Sequence, residues 1–340
     1  AQIRFWGGDL MQQMGGVLVK HYKMLAFMGF WEVVTHLDTI LKNIKFCKKD
    51  ITDFQPDVII YIDYPGFNLR IAKWAKQKGF KNHFYISPQV WAWKENRVHQ
   101  MKKDLDALYV ILPFEKDFFE NKHQFKVEFV GHPLLDTLNQ RNKSTDFLKQ
   151  NQLSDKNNLI ALLPGSRKQE IKKMLPVFLK VSELFPKFQF VLAGAPGIDT
   201  EWYQKFFGGE NVKIIQNKTH DLLLHARAAL VSSGTATLET GLLNVPQVVC
   251  YRSSFLTYWI AKWLVKLKFI SLVNLILDRE VVKEHIQRAF NVKEGEHHLK
   301  YALSDTGQKK LKEDYKELRG ILGAGGASKK TAQLIIEALS

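Results

Sequence analysis

The strongest chemical signal is an acid where a strand should stop. The run Asp57–Ile62 (DVIIYI) is apolar and β-branched, lies between Pro56 and Pro65, and ends on Asp63. Pro65 and Gly66 then make a turn. In parallel sheets, ligands sit outside the carboxyl ends of the strands, so a carboxylate there can take a proton from a bound hydroxyl. The same Asp would also cap a helix beginning at Pro65, and its position alone leaves both uses open.

Three further stretches suit a diphosphate. In 159–171 (LIALLPGSRKQEI) a strand ends at Pro164–Gly165, and Ser166–Arg167 precede a helix. Helix N-terminal amides attract anions, and a guanidinium adds a bidentate grip on phosphate. In 229–242 (ALVSSGTATLETGL) a strand, a small-residue turn and a helix follow one another. Ser233, Gly234, Thr235 and Ala236 lack bulk, so the backbone amides up to Thr237 can close on a diphosphate. Glu239 lies one helical turn further in, where a carboxylate can take two vicinal sugar hydroxyls. In 245–252 (VPQVVCYR) Arg252 ends a strand and offers a second cation. Each feature alone also reads as an ordinary βα turn, a solvated helix acid or an exposed strand-end Arg. Together they describe a diphosphate held without metal. The D-x-D pair Asp104–Leu105–Asp106 precedes a strand, the wrong end of a sheet for a metal–diphosphate site. Glu296, His297 and His298 form no ligand set of recognisable spacing.

Such residues need a scaffold. Strand-like runs recur at Ile3–Trp6, Asp57–Ile62, Asn82–Ile86, Ala107–Leu112 and Lys126–Val130, then at Leu159–Leu163, Gln189–Leu192, Lys213–Ile215, Ala229–Val231 and Gln247–Tyr251. Helix-like periodicity fills 66–79 and 168–185 between them. Alternating β and α predicts parallel sheets with helices on both faces. Two such series, joined by the polar stretch 136–157, predict an α/β chain of two doubly wound domains. The first covers 1–140, a linker covers 141–157, the second covers 158–326, and a closing helix covers 327–340. The 340 residues fit two domains at roughly 100–200 residues each.

Lys and Arg outnumber Asp and Glu by 49 to 34, a net charge of +15, which points to an anionic partner. No helix-turn-helix spacing, RNP-like aromatic strand or zinc pattern supplies a nucleic-acid reader. Cys47 and Cys250 sit in apolar surroundings; they could form one disulfide but read better as buried free thiols. The apolar run 255–276 is interrupted by Lys262, Lys266 and Lys268, so it falls short of the about 20 nearly uncharged residues of a spanning helix. It suits a membrane surface or a core helix equally. In 28–46, Phe30, Val33, Leu37, Ile40, Leu41 and Ile44 follow helical spacing, with Trp31 on the stripe and Lys42 and Lys45 beside it. This face can lie on anionic lipid or pack on a sheet.

In chain order the sequence carries DVIIYIDYPGFN, YISPQVWAWKENRV, ILPFEKDFF, FVGHPLLD, LLPGSRKQEI, SSGTATLE, VVCYR and SLVNLILDREVVKE. The set resembles lipid-A-disaccharide synthase, a family of inverting glycosyltransferases with two Rossmann-like domains facing a cleft, the GT-B arrangement. The likeness runs over nearly the whole chain, and SPQVWAW with LLPGSR and SGTATLE is its specific part. The resemblance implies transfer of a 2,3-diacylglucosamine unit from UDP to 2,3-diacylglucosamine 1-phosphate, giving lipid A disaccharide 1-phosphate and UDP. It implies Asp63 as catalytic base. It sets Arg167, Glu239 and Asn274 at the nucleotide, beside Ser233–Thr237 and Arg252. His132 of VGHP would orient the acceptor or serve as a hinge. No cofactor and no metal are implied. Partners would be the two acylated sugars, the anionic inner-membrane surface and a second copy of the chain as a homodimer, with no nucleic acid. The enzyme would be cytoplasmic and peripherally membrane-bound.

One departure stands out. Members of that family begin with a strand, a loop resembling GEASGD and a helix, whereas Ala1–Gly8 (AQIRFWGG) already matches their second strand. A βα unit of about 30 residues is therefore expected to be absent from this sequence. Trp91 and Trp93 are expected to pack and not to stack on sugar. Another GT-B enzyme on a UDP-sugar, a lipid-linked glucosaminyltransferase or an epimerase, would share the donor half but not DYPGFN and SPQVWAW. A non-catalytic basic membrane-binding protein would bind no UDP.

Overall fold

The computed structural model describes residues 1–24, 37–141, 143–144, 146–153, 158–209, 212–252 and 268–340. Within them the apolar runs become β1 (Arg4–Gly7), β3 (Ile59–Ile62), β4 (Asn82–Tyr85), β5 (Ala107–Val110), β6 (Glu128–Phe129), β7 (Leu159–Leu163), β8 (Gln189–Gly194), β9 (Val212–Gln216), β10 (Ala228–Ser232) and β11 (Gln247–Tyr251). Two strands were not expected: β2 (Val17–His21) contains Lys20 and His21, and β12 (Glu284–Ile286) is three residues long with two of them polar. β12 offers no apolar run, and β2 offers only Val17–Leu18–Val19 before Lys20 and His21.

By compactness the chain divides into a unit of residues 1–88, 100–108 and 339, and a unit of 89–99, 109–338 and 340. In the first, β1 and β2 form a parallel pair of their own, and β3 pairs with β4 with Ile59 opposite Asn82. The helix Leu37–Phe54 turns Asn43, Cys47 and Asp50, spaced by four and three, to its buried side. Those inward polar groups are satisfied: Arg4 Nε and Nη2 reach Asp50 Oδ1 at 2.7 and 2.5 Å, and Lys20 Nζ donates to Asn43 Oδ1 at 2.5 Å. Leu41 is 51% exposed; Phe46 is 44% exposed, with its ring 5.6 Å from that of Trp6, while Ile40 and Ile44 are half-buried. Phe30, Trp31 and Val33 of the expected stripe, and the side chain of Leu37, lie outside the described residues.

The D-x-D pair is spent on holding β4. Asp106 Oδ2 accepts from the Asn82 N–H at 2.9 Å, and Lys76 Nζ pairs with its other oxygen at 2.5 Å. The buried Asn82 amide donates to the carbonyls of Ala72 and Asp104 and accepts from Tyr61. In the other unit, Tyr109 and Val110 of β5 pair in parallel with Glu128 and Phe129 of β6.

The second unit contains a six-stranded sheet in the order β12-β11-β10-β7-β8-β9, every pair parallel. The chain runs outward from β7 through β8 to β9, returns beside β7 as β10, and continues outward through β11 to β12. This is the doubly wound order, and its switch point lies between β7 and β10. Alternate residues feed two cores: Ile160, Leu162, Ala228 and Leu230 on one face, Leu159, Ala161, Leu163, Ala229 and Val231 on the other. The closing helix, Ala327–Glu337, docks on the helix Pro133–Asn139. Asp136 accepts from the N–H groups of Gly326 and Ser328, and Asn139 Nδ2 donates to the Ala324 carbonyl at 2.8 Å. Cys47 and Cys250 are buried free thiols. Among the described residues no helix is long and apolar enough to cross a membrane; 253–267, the larger part of the apolar run, lies outside them.

Candidate functional site

Asp63 is exposed at the end of β3, and it does not cap the following helix. That helix, Pro65–Gln77, takes Tyr64 as its N-cap residue without a side-chain capping bond, and Pro65 presets its first turn. Asp63 and Tyr64 are both left-handed, at φ 47° and 46°, a region that Asp tolerates better than Tyr does. The main chain is locked there. The Asp63 N–H donates to the Tyr85 carbonyl at 3.0 Å, and Asn68 Nδ2 donates to the Asp63 carbonyl at 2.7 Å. No described side chain pairs with the Asp63 carboxylate, so a rigid, strained turn presents an unencumbered acid.

In the second unit the phosphate-suited stretches begin at one end of three adjacent strands. Leu163 of β7 lies opposite Val231 of β10, and Ser232 lies opposite Cys250 of β11. Pro164–Arg167 and Ser233–Gly234 therefore leave the sheet at the carboxyl side of the switch point. The Ser233 N–H donates to the Cys250 carbonyl, two residues before Arg252. Gly165 has φ 111°, a conformation that residues with a Cβ rarely adopt, so glycine suits that turn. Gly234, at φ 153°, caps the helix Thr235–Leu242 and has no atom within 4 Å of where a Cβ would stand. The loop is left-handed beside open space, the arrangement that lets a backbone approach a phosphate.

The expected residues divide by what they present. Gly234 and Thr235 are exposed, Ser233, Ala236 and Arg252 are half-buried, and the Ser233 hydroxyl donates to the Ile270 carbonyl at 2.9 Å. Arg167 is the N-cap residue of the helix Lys168–Glu183, with its side chain 69% exposed and 3.7 Å from Glu170. Thr237 is fully buried, its hydroxyl turned back to the Gly234 carbonyl, so it shapes the turn and offers a ligand nothing. Asn274 is also fully buried. Its Nδ2 donates to the Val282 carbonyl and to Glu284, and its Oδ1 accepts from the N–H groups of Val281 and Val282. All four hydrogen-bonding positions of that amide are filled, which leaves none for diphosphate or base. Glu284 in turn accepts from the N–H groups of Ile270 and Ser271, so Asn274 braces the segment on which Ser233 rests.

Glu239 stands one turn into its helix and pairs with His220 at 3.3 Å. His220, at the start of the helix Thr219–His225, was invisible in the sequence because nothing local links it to Glu239. His132 caps the helix Pro133–Asn139, its Nδ1 accepting from the Leu134 N–H at 3.2 Å. Burial pushes its pKa down to about 4, with the Glu239 carboxylate pulling the other way. The ring is neutral at pH 7 and carries its proton on Nε2. Trp91 packs as expected, edge-on to Phe114, and donates to Glu115 Oε1 at 3.1 Å. Trp93 is 45% exposed, with Lys94 Nζ 4.4 Å from its ring centroid.

Comparison with known proteins places this geometry. The family model described as lipid-A-disaccharide synthetase matches residues 1–338. The lipid-A-disaccharide synthase of Syntrophus aciditrophicus (strain SB) is 36% identical over 344 residues, covering 98% of this chain and 90% of that protein. Lipid-A-disaccharide synthase 1 of Legionella pneumophila (strain Paris) is 37% identical over 314 residues, covering 89% and 81%. Among solved structures, the UDP-GlcNAc 2-epimerase of Neisseria meningitidis bound to UDP-GlcNAc superposes with a TM-score of 0.65 at 15% identity, over 98% of this chain and 99% of that one. That likeness is one of fold.

Proposed function

The chain belongs to the lipid-A-disaccharide synthetase family and is a glycosyltransferase of lipid A biosynthesis, and we propose that it joins the two acylated sugars with Asp63 as the base. The donor is UDP-2,3-diacylglucosamine and the acceptor is 2,3-diacylglucosamine 1-phosphate. The acceptor hydroxyl passes its proton to the Asp63 carboxylate as its oxygen attacks the anomeric carbon. The bond from that carbon to the diphosphate breaks, its electron pair leaves with UDP, and the configuration inverts in one displacement.

Charge grows on the departing diphosphate, so groups fixed near it act most strongly in the transition state. Arg167, Arg252 and the amides at Gly234–Ala236 take that charge, with no metal required. Glu239, oriented by His220, accepts from the ribose hydroxyls. His132 offers Nε2–H to the acceptor. The observation that carries the reading is the pairing of an open, left-handed Gly234 with the β7/β10 switch point. Both substrates carry acyl chains, so the enzyme works at a lipid surface, where Leu41 and Phe46 are the exposed apolar contacts of the helix Leu37–Phe54.

Asp63→Ala tests the assignment by two readouts. Turnover should fall about 10²–10⁴-fold while UDP affinity holds, because the carboxylate acts on the acceptor and not on the nucleotide. Unchanged turnover removes Asp63 from the mechanism.

A further inference from the structure

A second chemical cluster lies apart from the nucleotide loops. His285 sits on the edge strand β12, only 3% exposed, and its Nε2 is buried with no hydrogen-bond partner. The Ala289 carbonyl takes the ring's other nitrogen, since it bonds the imidazole and Nε2 is unpartnered. That bond puts the proton on Nδ1 and leaves Nε2 with a bare lone pair, the state in which His binds metal. Across from it, Glu294 and His298 stand four residues apart on the helix Val292–Leu303, Oε2 to Nε2 at 3.6 Å. The His285 and His298 ring centroids are 4.7 Å apart, and one ligand atom from each of the three side chains lies within 4.8 Å of the other two.

We propose that His285, Glu294 and His298 bind a first-row divalent cation, Zn²⁺ fitting best, that ties the edge strand β12 to the helix Val292–Leu303. Two imidazoles and one carboxylate are the borderline donors this class of ion takes. With Zn–N and Zn–O bonds of about 2.0–2.2 Å, tetrahedral ligand atoms sit roughly 3.3–3.5 Å apart. The Glu294–His298 pair, at 3.6 Å, lies just outside that spacing, and rotation of these two half-buried side chains closes the rest. Glu294 is 41% exposed, which gives the ion a way in and leaves a fourth position to water.

The site's reach follows from its neighbours. Glu284, next to His285, holds the N–H groups of Ile270 and Ser271, and the Ile270 carbonyl receives the Ser233 hydroxyl. A metal on β12 therefore stiffens the support of the nucleotide loop without touching the nucleotide. Its role is structural, and the transfer step stays free of it.

The test is calorimetric titration of the chelator-stripped full chain with Zn²⁺, beside thermal denaturation with and without the ion. The wild type should bind one equivalent and melt higher with Zn²⁺. His298→Ala and Glu294→Gln change side chains that are 19% and 41% exposed and should leave the fold and UDP affinity intact. Outer-shell partners alone are worth about 10–100-fold in metal affinity, so losing a ligand should weaken Zn²⁺ binding at least ~100-fold and abolish the rise in Tm. Zn²⁺ affinity unchanged in both variants would overturn the proposal, as would a wild type that binds no equivalent of Zn²⁺.

Discussion

On the proposed mechanism, Arg167 stabilises the leaving group. Arg167 is the N-cap residue of the helix that follows β7, with its side chain 69% exposed. Because the diphosphate gains charge as its bond breaks, Arg167→Ala should lower kcat and not only raise KM for the donor. The loss should be about 10²-fold, the low end for such contacts, because the side chain is 69% exposed and must close on its ligand. Arg167→Lys should rescue only part of it, since an ammonium lacks the planar fork. Steady-state kinetics with the donor varied decides this, and an unchanged kcat would reduce Arg167 to ground-state binding. The positions of Asp63, Arg167 and the SGTATLE loop just beyond strand ends were legible in the sequence, because each uses a strand end and its next few residues. His220 and the spent amide of Asn274 were not, because their partners Glu239 and Glu284 are distant in sequence and meet them only after folding.

At the level of elements, the helices and strands with long periodic runs were read correctly, while β12 was hidden by its polar residues and β2 by the shortness of its apolar run, Val17–Val19. The linkage of two elements through Glu115 was also hidden. Its carboxylate accepts from Trp91 and from the N–H groups of Ile111 and Leu112, and burial pushes its pKa up to about 7. A raised acid favours the folded state fully below its ordinary value of 4.5 and loses that contribution as pH rises through 7. His132 runs the opposite way: held down at about 4, it stabilises above its ordinary 6.5 and loses that as pH falls through 4. The two slopes partly cancel in the wild type. Glu115→Gln removes one of them, so the variant should gain on the wild type by up to about 3 kcal/mol between pH 4.5 and 7. Denaturation midpoints at both pH values measure this, and parallel curves would place the ionised carboxylate in the fold at no cost.

For the whole molecule, the net charge of +15 and the exposed Leu41 and Phe46 predict binding to anionic vesicles that weakens with salt. Leu41→Ser with Phe46→Ser should reduce flotation with such vesicles at fixed salt while UDP affinity holds, and equal flotation would move the lipid contact elsewhere. Composition alone announced an anionic partner but not which one; the choice came from loops at the carboxyl ends of β3, β7 and β10. The measurement that reaches furthest is a product assay with UDP-2,3-diacylglucosamine and 2,3-diacylglucosamine 1-phosphate, read by mass spectrometry and by NMR of the new linkage. The chain should release one UDP for each tetraacyl disaccharide 1-phosphate formed, with anomeric configuration opposite to the donor's, and Asp63→Ala should form almost none. UDP released without disaccharide, or a product that retains the donor's configuration, would contradict the account.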